Sequence, residues 1–289
     1  MNKSIYLSLL FVGSLFLLQA CGGLKVGGID VGKIAQTSAK VLSGSKLNQQ
    51  QQTEIGQQMA AIILGSSSLH KNEALQKYVN RVGTWVASQS QSDIRQWQFM
   101  VIDTPDFNAF SMPGGYVIIS SGVIDRLSSE AELAGILAHE IAHVSQQHQV
   151  KAIEKSNSFS NLGELAFLAA DAKQRQKGGY SKNSLRNTNI AKGLFDVTHT
   201  LYTKGLGRED ELDADAKAVI LMARAGYDPY AYLSLMQLVE TVDNKNKTLL
   251  LATHPKSADR IALVAKVIKM SGLNMDRLKT IRTRFINNS

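Results

Sequence analysis

The sequence predicts an α+β fold that is mainly helical, with one small β-sheet beside a helix that carries two histidines. Apolar residues recur with a helical period in most segments, and the pattern changes to strand-like β-branched runs between residues 97 and 120. The 289 residues are 44% hydrophobic, which is enough for a sizeable core. Cys21 is the only cysteine, so no intrachain disulfide can stabilise this fold.

Residues 1–20 are predicted to be a lipoprotein signal peptide. Lys3 precedes an apolar run at 5–18 that is too short to span a bilayer comfortably. Leu18-Gln19-Ala20-Cys21 resembles a bacterial lipobox, which implies cleavage before Cys21 and lipidation of this residue. An ordinary signal peptide, or an uncleaved anchor with an incidental cysteine, is the alternative. Because Gly22 replaces the aspartate that retains some lipoproteins, we expect a lipid anchor on the periplasmic side of the outer membrane.

The folded domain is predicted to occupy residues 49–289. Residues 21–48 are rich in glycine, serine and lysine, which is typical of a flexible tether behind a lipidated end. Helical periodicity then predicts helices at about 49–65 and 72–90.

The small sheet is predicted from two short runs with strand character. Residues 97–102 alternate in polarity and are followed by a turn at 103–106 that contains a proline. A second run at 116–120 follows Pro113-Gly114-Gly115. These strands immediately precede the segment with the paired histidines.

Most of the remaining chain is predicted to be helical. Ser129, with Glu132 three residues later, indicates a capping box at the start of a helix over 129–150. Residues 162–170 suggest a short helix, and 171–188 a mobile loop. Further helices are predicted at 189–205, 209–225, 229–242, 256–270 and 274–285.

The charge distribution argues against nucleic acid as a partner. The formal net charge of +8 could favour anionic lipid headgroups or acidic substrates. However, the densest basic segment, residues 173–186, has no helical stripe and almost no aromatic residues for stacking on bases. We therefore interpret it as a solvated loop.

The motif His139-Glu140-Ile141-Ala142-His143 predicts a zinc site. Two imidazoles four residues apart on a helix project from one face, so both can reach one ion. Glu140 lies at the edge of that face, where its carboxylate can accept a proton from a metal-activated water. The alternative is two structural histidines. His148 falls outside this face and is predicted to be a surface residue. His70 and His199 belong to no such pattern and are predicted to be structural.

A catalytic zinc site normally needs a third protein ligand, and Glu211 is the best candidate. Glu211 and Asp215 share one helix face, so Glu211 could bind the ion while Asp215 accepts a hydrogen bond from a ligand imidazole. Glu209 and Asp213 fall on other faces. The alternative is an acidic helix start favoured by the helix dipole.

Three separated motifs resemble the gluzincin peptidases that include HtpX and the CAAX prenyl endopeptidases. These motifs are His139-Glu140-Ile141-Ala142-His143, Glu211-Leu212-Asp213-Ala214-Asp215, and Thr253-His254-Pro255 with Arg260. Because it combines these motifs with a predicted lipoprotein signal, the chain is similar to the periplasmic bacterial members of that family. The resemblance covers about residues 50–269 and omits the membrane chamber of the prenyl-type enzymes, so prenylated substrates are not expected.

This resemblance implies a zincin fold and one Zn²⁺ per chain. Its ligands would be His139, His143 and Glu211, with Glu140 as the general base.

The resemblance also assigns roles to three residues around the ligands. Asp215 would orient a ligand imidazole, and His254 and Arg260 would lie near the oxyanion of the reaction. In some relatives the equivalent histidine closes on the metal as a fourth ligand in a self-inhibited state. The sequence leaves both roles open for His254, and read without the family, His254-Pro255 is simply a loop before a helix.

Residues 108–116 resemble the family segment beside the active-site cleft. Asn108, Ala109 and Phe110 would form part of an edge that binds a peptide by adding it as a strand, mainly through backbone hydrogen bonds. Broad specificity for unfolded chains would follow. An ordinary hairpin in the sheet is the alternative, and both can hold.

These features predict a zinc endopeptidase of the bacterial envelope that cleaves unfolded or misassembled proteins. The main alternative is a chaperone-like lipoprotein that binds such proteins and seldom cleaves them. Binding alone needs no general base, so Glu140 argues against this alternative. A different metal hydrolase with the same ligands is a weaker possibility.

Overall fold

A computed structural model describes residues 25–26, 29–30, 47–155, 194–242, 254, 258–272, 277–281 and 285. The predicted signal peptide, Cys21 with its lipidation, the short helix at 162–170 and the loop at 171–188 lie outside these residues. Within the described residues, no helix is both long and apolar enough to cross a bilayer.

The described residues confirm a mainly helical α+β fold with a small mixed sheet of three strands. The three strands are β3 Gln98–Ile102, β4 Ala109–Met112 and β5 Tyr116–Ser120, and a separate pair is formed by β1 Lys25–Val26 and β2 Ile29–Asp30. The helices are α1 Gln49–Ser66, α2 Glu73–Ala87, α3 Ser121–Ile124, α4 Glu130–Ser145, α5 His148–Lys155, α6 194–204, α7 Arg208–Ala225, α8 Tyr230–Val242 and α9 Ala258–Met270.

The main sheet has the order β3-β5-β4, so β4 lies at one edge. β3 is parallel to β5, and β4 is antiparallel to β5, with Ser111 opposite Val117. Side chains alternate along β4: Ala109 packs in the core that contains α4, whereas Phe110 and Met112 pack in the core that contains α1. Ser111 therefore shares the face of Ala109, toward α4.

Helix α4 lies at the centre of the fold because nearly all of its side chains are buried and most of them are apolar or small. It packs most extensively on α7 and also contacts α2, α8 and β4. The Ser129 hydroxyl accepts from the backbone N–H of Glu132, as the predicted capping box requires. The Glu132 carboxylate, however, accepts from the backbone of Ser128 rather than Ser129, so the box is only half formed.

The prediction of one continuous helix over 129–150 is wrong. α4 ends at Ser145, and Gln147 adopts a left-handed conformation with φ of 58° before α5 begins at His148. The backbone N–H groups of Gln146 and Gln147 close the end of α4 on Ala142 and Val144. The chain direction therefore changes directly after the paired histidines.

The predicted helix over 274–285 is also wrong at residues 278–281, which are not helical. Lys279 instead forms a bridge with Tyr227, and its backbone N–H donates to the carbonyl of Gly226. Gly226 has a φ of 84°, which ends α7 and exposes this carbonyl for pairing. A tertiary backbone contact has overridden the local helical pattern.

Candidate metal centre

Four side chains converge between α4 and α7. His139 and His143 come from α4, Glu211 comes from the first turn of α7, and His254 joins them from the segment before α9. Their ligand atoms all lie within 4.8 Å of one another. Nε2 of His139 is 3.0 Å from Nε2 of His143 and 3.4 Å from Oε2 of Glu211. The structure thus brings together the three residues that the sequence predicted as ligands.

The chemistry of this donor set fits a zinc ion. Glu211 is 1% exposed, and its Oε1 atom has no hydrogen-bond partner among the described residues. That oxygen lies 3.3 Å from Nε2 of His143, so it faces the same point as the ring nitrogens. A buried carboxylate oxygen is costly without a partner, and a cation bound at this point would satisfy it. Imidazole nitrogen and carboxylate oxygen are donors that zinc uses in proteins.

The electrostatics of the cluster also favour positive charge at its centre. Burial alone would lower the pKa of His139, but hydrogen bonds with Asp215 and Glu211 raise it to about 9. Burial alone would raise the pKa of Glu211, yet the charge of His254 and the hydrogen bond with His139 hold it well below its ordinary value. The carboxylate therefore stays ionised and available to a cation.

Asp215 lies behind His139, on the side away from the other donors. Its Oδ1 atom is 3.1 Å from Nδ1 of His139, which leaves Nε2 to face the cluster. Burial would raise the pKa of Asp215, but the hydrogen bonds from Arg260 and with His139 lower it. The sequence did not single out Tyr232, whose hydroxyl donates to Asp215 Oδ1 at 2.8 Å and lies 3.0 Å from Nδ1 of His139.

Arg260 lies against the two carboxylates of α7. Its Nε donates to Asp215 Oδ2 at 2.7 Å and its Nη2 to Asp215 Oδ1 at 2.8 Å. Nη1 is 3.1 Å from Oε2 of Glu211. Arg260 is only 6% exposed, so it acts in this structure as a buried counter-charge that orients Asp215 and Glu211.

His254 reaches both the ligand cluster and the predicted base. Its Nδ1 is 2.9 Å from Oε2 of Glu211 and 3.2 Å from Nε2 of His139. Its Nε2 is 3.4 Å from Oε1 of Glu140. Both roles that the sequence left open, a fourth ligand and a group beside the reacting atoms, are within the reach of this side chain.

The prediction that His148 is a surface residue is wrong, because it is 3% exposed and contacts His143, one of the predicted ligands. Its Nδ1 lies 2.9 Å from Nδ1 of His143. The break at Gln147 turns the chain back, so the side chain lands beside α4 instead of following its helical rotation. No glycine or proline marks this break, so no local pattern predicted it.

The protonation of His148 suits the orientation of His143. A histidine that ligates through Nε2 carries its proton on Nδ1 and donates it to a neighbour. Burial and the adjacent charge of His143 lower the pKa of His148 to about 4, so it is neutral and can accept at Nδ1. Its Nε2 then carries a proton and faces the carboxylates of Asp210 at 3.6 Å and Asp213 at 3.5 Å.

Glu140 is 2% exposed and is held from the side of the sheet. The Ser111 hydroxyl donates to Glu140 Oε2 at 2.6 Å, and Gln149 Nε2 donates to the Ser111 oxygen at 2.7 Å. Neither Ser111 nor Gln149 belongs to a motif that predicted the site. The alternation of side chains along β4 could have placed Ser111 toward α4, but the helix break that delivers Gln149 had no signal.

The predicted substrate segment begins at the edge strand β4. Asn108, Ala109 and Phe110 are all buried, at 3%, 1% and 6% exposure, so their side chains belong to the core. The ring of Phe110 meets that of Tyr202 edge-on, with centroids 5.6 Å apart. Among the described strands β4 pairs only with β5, so what this segment can offer a peptide is its backbone.

A helix with a His-Glu-x-x-His motif, joined by a glutamate from a second helix, defines the metal site of a gluzincin-type hydrolase. The family is shown by comparison: the chain belongs to peptidase family M48, whose profile matches residues 73–268. The family resemblance inferred from three short motifs is confirmed.

Similar proteins include bacterial and mitochondrial proteases. The chain is 27% identical to the beta-barrel assembly-enhancing protease of Escherichia coli over 76% of this chain and 44% of that protein. It is 25% identical to the protein of the same name from Yersinia pestis over 76% of this chain and 44% of that protein. It is 30% identical to the mitochondrial metalloendopeptidase OMA1 of Schizosaccharomyces pombe over 64% of this chain and 50% of that protein. The chain thus spans about half the length of these curated relatives or less.

Proposed function

We propose that the protein is a zinc-dependent endopeptidase of the bacterial cell envelope that hydrolyses peptide bonds in unfolded or misassembled proteins. The observation that carries this proposal is the position of Glu140, a buried carboxylate beside the converging atoms of His139, His143 and Glu211. Membership of peptidase family M48 supports the same reaction.

His139 and His143, each through Nε2, and the Glu211 carboxylate would hold one zinc ion per chain. When bound, zinc lowers the pKa of a coordinated water toward neutrality and polarises a carbonyl oxygen. Asp215 and His148 would keep Nε2 of His139 and of His143 directed at the ion, because each lies at the Nδ1 atom of its partner.

Glu140 would move the proton of the reaction. Its Oε2 atom accepts a hydrogen bond from Ser111. The other oxygen, Oε1, would therefore accept a proton from the attacking water. The same oxygen would deliver that proton to the amine nitrogen of the leaving peptide. Nε2 of His254, which lies 3.4 Å from Oε1, would donate to the developing oxyanion.

The proposed substrate is an extended polypeptide that pairs with the edge strand β4. Such pairing reads the peptide backbone and selects side chains weakly, which suits unfolded chains. The names of the bacterial relatives refer to beta-barrel assembly, which supports envelope proteins as clients. We propose that Cys21 carries a lipid that anchors the protein on the periplasmic face of the outer membrane, with residues 21–48 as tether and 49–289 as catalytic domain.

The proposal is tested with the purified full chain. We expect about one zinc per chain by elemental analysis, and cleavage of unfolded casein that stops with a chelator and resumes when zinc is restored. Stably folded globular proteins should resist cleavage under the same conditions. Zinc-loaded protein that cleaves no unfolded chain would contradict the proposal.

A second candidate is a chaperone-like lipoprotein that binds such clients and seldom cleaves them. It is favoured by His254, because a fourth protein donor 2.9 Å from Glu211 could fill the position that a catalytic zinc normally leaves open. In this case the protein would prevent aggregation of an unfolded client equally well with and without chelator. Substitution His254→Ala discriminates further: it should raise casein cleavage if this side chain blocks the site, and leave the holding activity unchanged.

A further inference from the structure

We propose that Ser111 and Gln149 are positioning residues for Glu140, which together fix the carboxylate so that one defined oxygen accepts the proton. The inference rests on the proposed peptidase function, because it concerns the base of that reaction. It adds two residues that lie outside the His-Glu-x-x-His motif and the other two motifs.

The direction of each hydrogen bond follows from counting hydrogens. An ionised carboxylate can only accept, so the single hydrogen of the Ser111 hydroxyl must point at Glu140 Oε2, 2.6 Å away. The Ser111 oxygen can then only accept from Gln149, whose Nε2 lies 2.7 Å away. The amide of Gln149 must therefore present its NH₂ group to Ser111, and the chain Gln149 to Ser111 to Glu140 is polarised in one direction.

The three groups are fully enclosed, which gives these bonds their strength. Ser111 is 0% exposed, Glu140 is 2% exposed and Gln149 is 3% exposed. Water competes little for hydrogen bonds in such surroundings, and a bond to an ionised acceptor is stronger than a neutral one. The carboxylate plane is therefore fixed before any substrate arrives, and no reorientation is needed during the reaction.

The geometry distinguishes the two oxygens of the base. Oε2 faces the sheet and receives the Ser111 hydroxyl, whereas Oε1 lies 3.4 Å from Nε2 of His254, on the side of the metal donors. A carboxylate that rotated freely would present either oxygen, or neither, to the reacting water. Loss of the Ser111 hydroxyl should therefore lower the rate of proton transfer more than the affinity for substrate.

The positioning pair joins three elements of the fold at the base. Ser111 lies on β4, the proposed peptide-binding strand, and Gln149 lies on α5. Gln149 reaches Ser111 because the left-handed residue Gln147 redirects the chain after α4. The strand proposed to hold the substrate therefore also orients the group that acts on it.

The test compares the full chain with two single variants in steady-state cleavage of an unfolded peptide. In Ser111→Ala, kcat should fall at least fivefold, with KM within twofold and zinc content unchanged. In Gln149→Met, which keeps the side-chain length without the donor, kcat should fall by a smaller but measurable factor. Ser145→Ala is the matched control, because this hydroxyl donates only to the carbonyl of Ile141 within α4, and its kcat should stay at the wild-type value.

A crystal structure of Ser111→Ala supplies a readout that does not depend on turnover. We expect the Glu140 side chain to leave its single orientation and occupy more than one rotamer. A fall of less than fivefold in kcat, or a fall accompanied by loss of zinc, would overturn the positioning role of Ser111. An unchanged kcat in Gln149→Met would remove Gln149 from it.

Failure of this inference is distinguishable from failure of the proposed function. If the wild-type protein binds zinc but cleaves nothing, the proposed function fails, and the crystal structure decides the positioning role alone. An unaltered Glu140 orientation in Ser111→Ala would then overturn that role.

Discussion

In the proposed site, different residues would serve metal binding and proton transfer. His139, His143 and Glu211 converge on one point, whereas Glu140 lies beside it with its Oε2 held by Ser111. Because the base does not donate to the ion, removal of its charge should spare the metal. Substitutions should therefore affect metal binding and proton transfer separately.

Glu140→Gln should keep one zinc per chain and lose peptidase activity. The amide cannot accept the proton of the attacking water, and removal of a general base typically costs about 10²–10⁴-fold in rate. Casein cleavage and zinc content, measured on the same preparation, check this. Glu209→Gln, an exposed carboxylate in the first turn of α7, is the control and should behave as wild type. Normal cleavage by Glu140→Gln would refute its role as base.

His148→Phe should weaken zinc binding by about 10–100-fold, as is typical when the partner of a ligand histidine is lost. Phenylalanine fills the same space but cannot accept the proton at Nδ1 of His143, 2.9 Å away. Competition with a chromogenic chelator measures the affinity. His199→Phe removes an exposed histidine from α6 and should leave the affinity unchanged. An affinity within threefold of wild type for both variants would show that His148 does not orient His143.

At the scale of elements, regular periodicity was sufficient to predict the helices but not their interruptions. The apolar pattern predicted α2 and α7 close to their observed limits, whereas it gave no strand at β4, where only the family resemblance implied an edge. The break between α4 and α5 was not predictable, since Gln146 and Gln147 are ordinary helix residues. Two of the site residues that the sequence did not indicate, His148 and Gln149, directly follow this break.

The non-helical backbone at 278–281 was missed for a different reason. Its pairing partner, the chain at Gly226 and Tyr227, is distant in sequence, and only the fold brings the two together. The same holds for the hydroxyls of Tyr78 and Tyr227, which both donate to the buried carboxylate of Glu130 at 2.7 Å. Short motifs report the ligands of a site, whereas such long-range partners depend on tertiary packing.

The left-handed residue between α4 and α5 should be a point of backbone strain. Gln147 is exposed and has a φ of 58°, a conformation that glycine adopts without steric cost. Gln147→Gly should therefore raise the free energy of unfolding by about 0.5–1 kcal/mol in denaturant titrations. Gln146→Gly is the matched control: Gln146 has a φ of −89°, where glycine relieves no strain, so we expect no gain. Equal stability changes in the two variants would contradict strain at Gln147.

At the scale of the whole molecule, the proposed ion would join segments that are far apart in the chain. α4, α7 and the segment before α9 each contribute donors, and α4 and α7 form the most extensive helix contact of the fold. A ligand that binds only the folded chain stabilises it by an amount that grows with the logarithm of the ratio of free ligand to the dissociation constant. Zinc should therefore act as a tertiary cross-link between these helices.

Removal of zinc should lower the thermal stability of the entire domain. At a free zinc concentration 100 times the dissociation constant, linkage predicts a loss of about 2.7 kcal/mol on chelation. Differential scanning calorimetry with and without chelator measures this loss. Glu211→Gln should show a much smaller difference between the two conditions, because one donor is weakened. A chelator-independent unfolding temperature in the wild-type protein would argue against an ion that bridges α4 and α7.

Anomalous diffraction at the zinc absorption edge, from crystals of the zinc-loaded full chain, tests most directly whether one ion is held between α4 and α7. We predict a single strong peak about 2.0–2.2 Å from Nε2 of His139, Nε2 of His143 and a carboxylate oxygen of Glu211. No peak at that position, or a zinc-bound structure in which Glu211 points away from both histidines, would contradict the account.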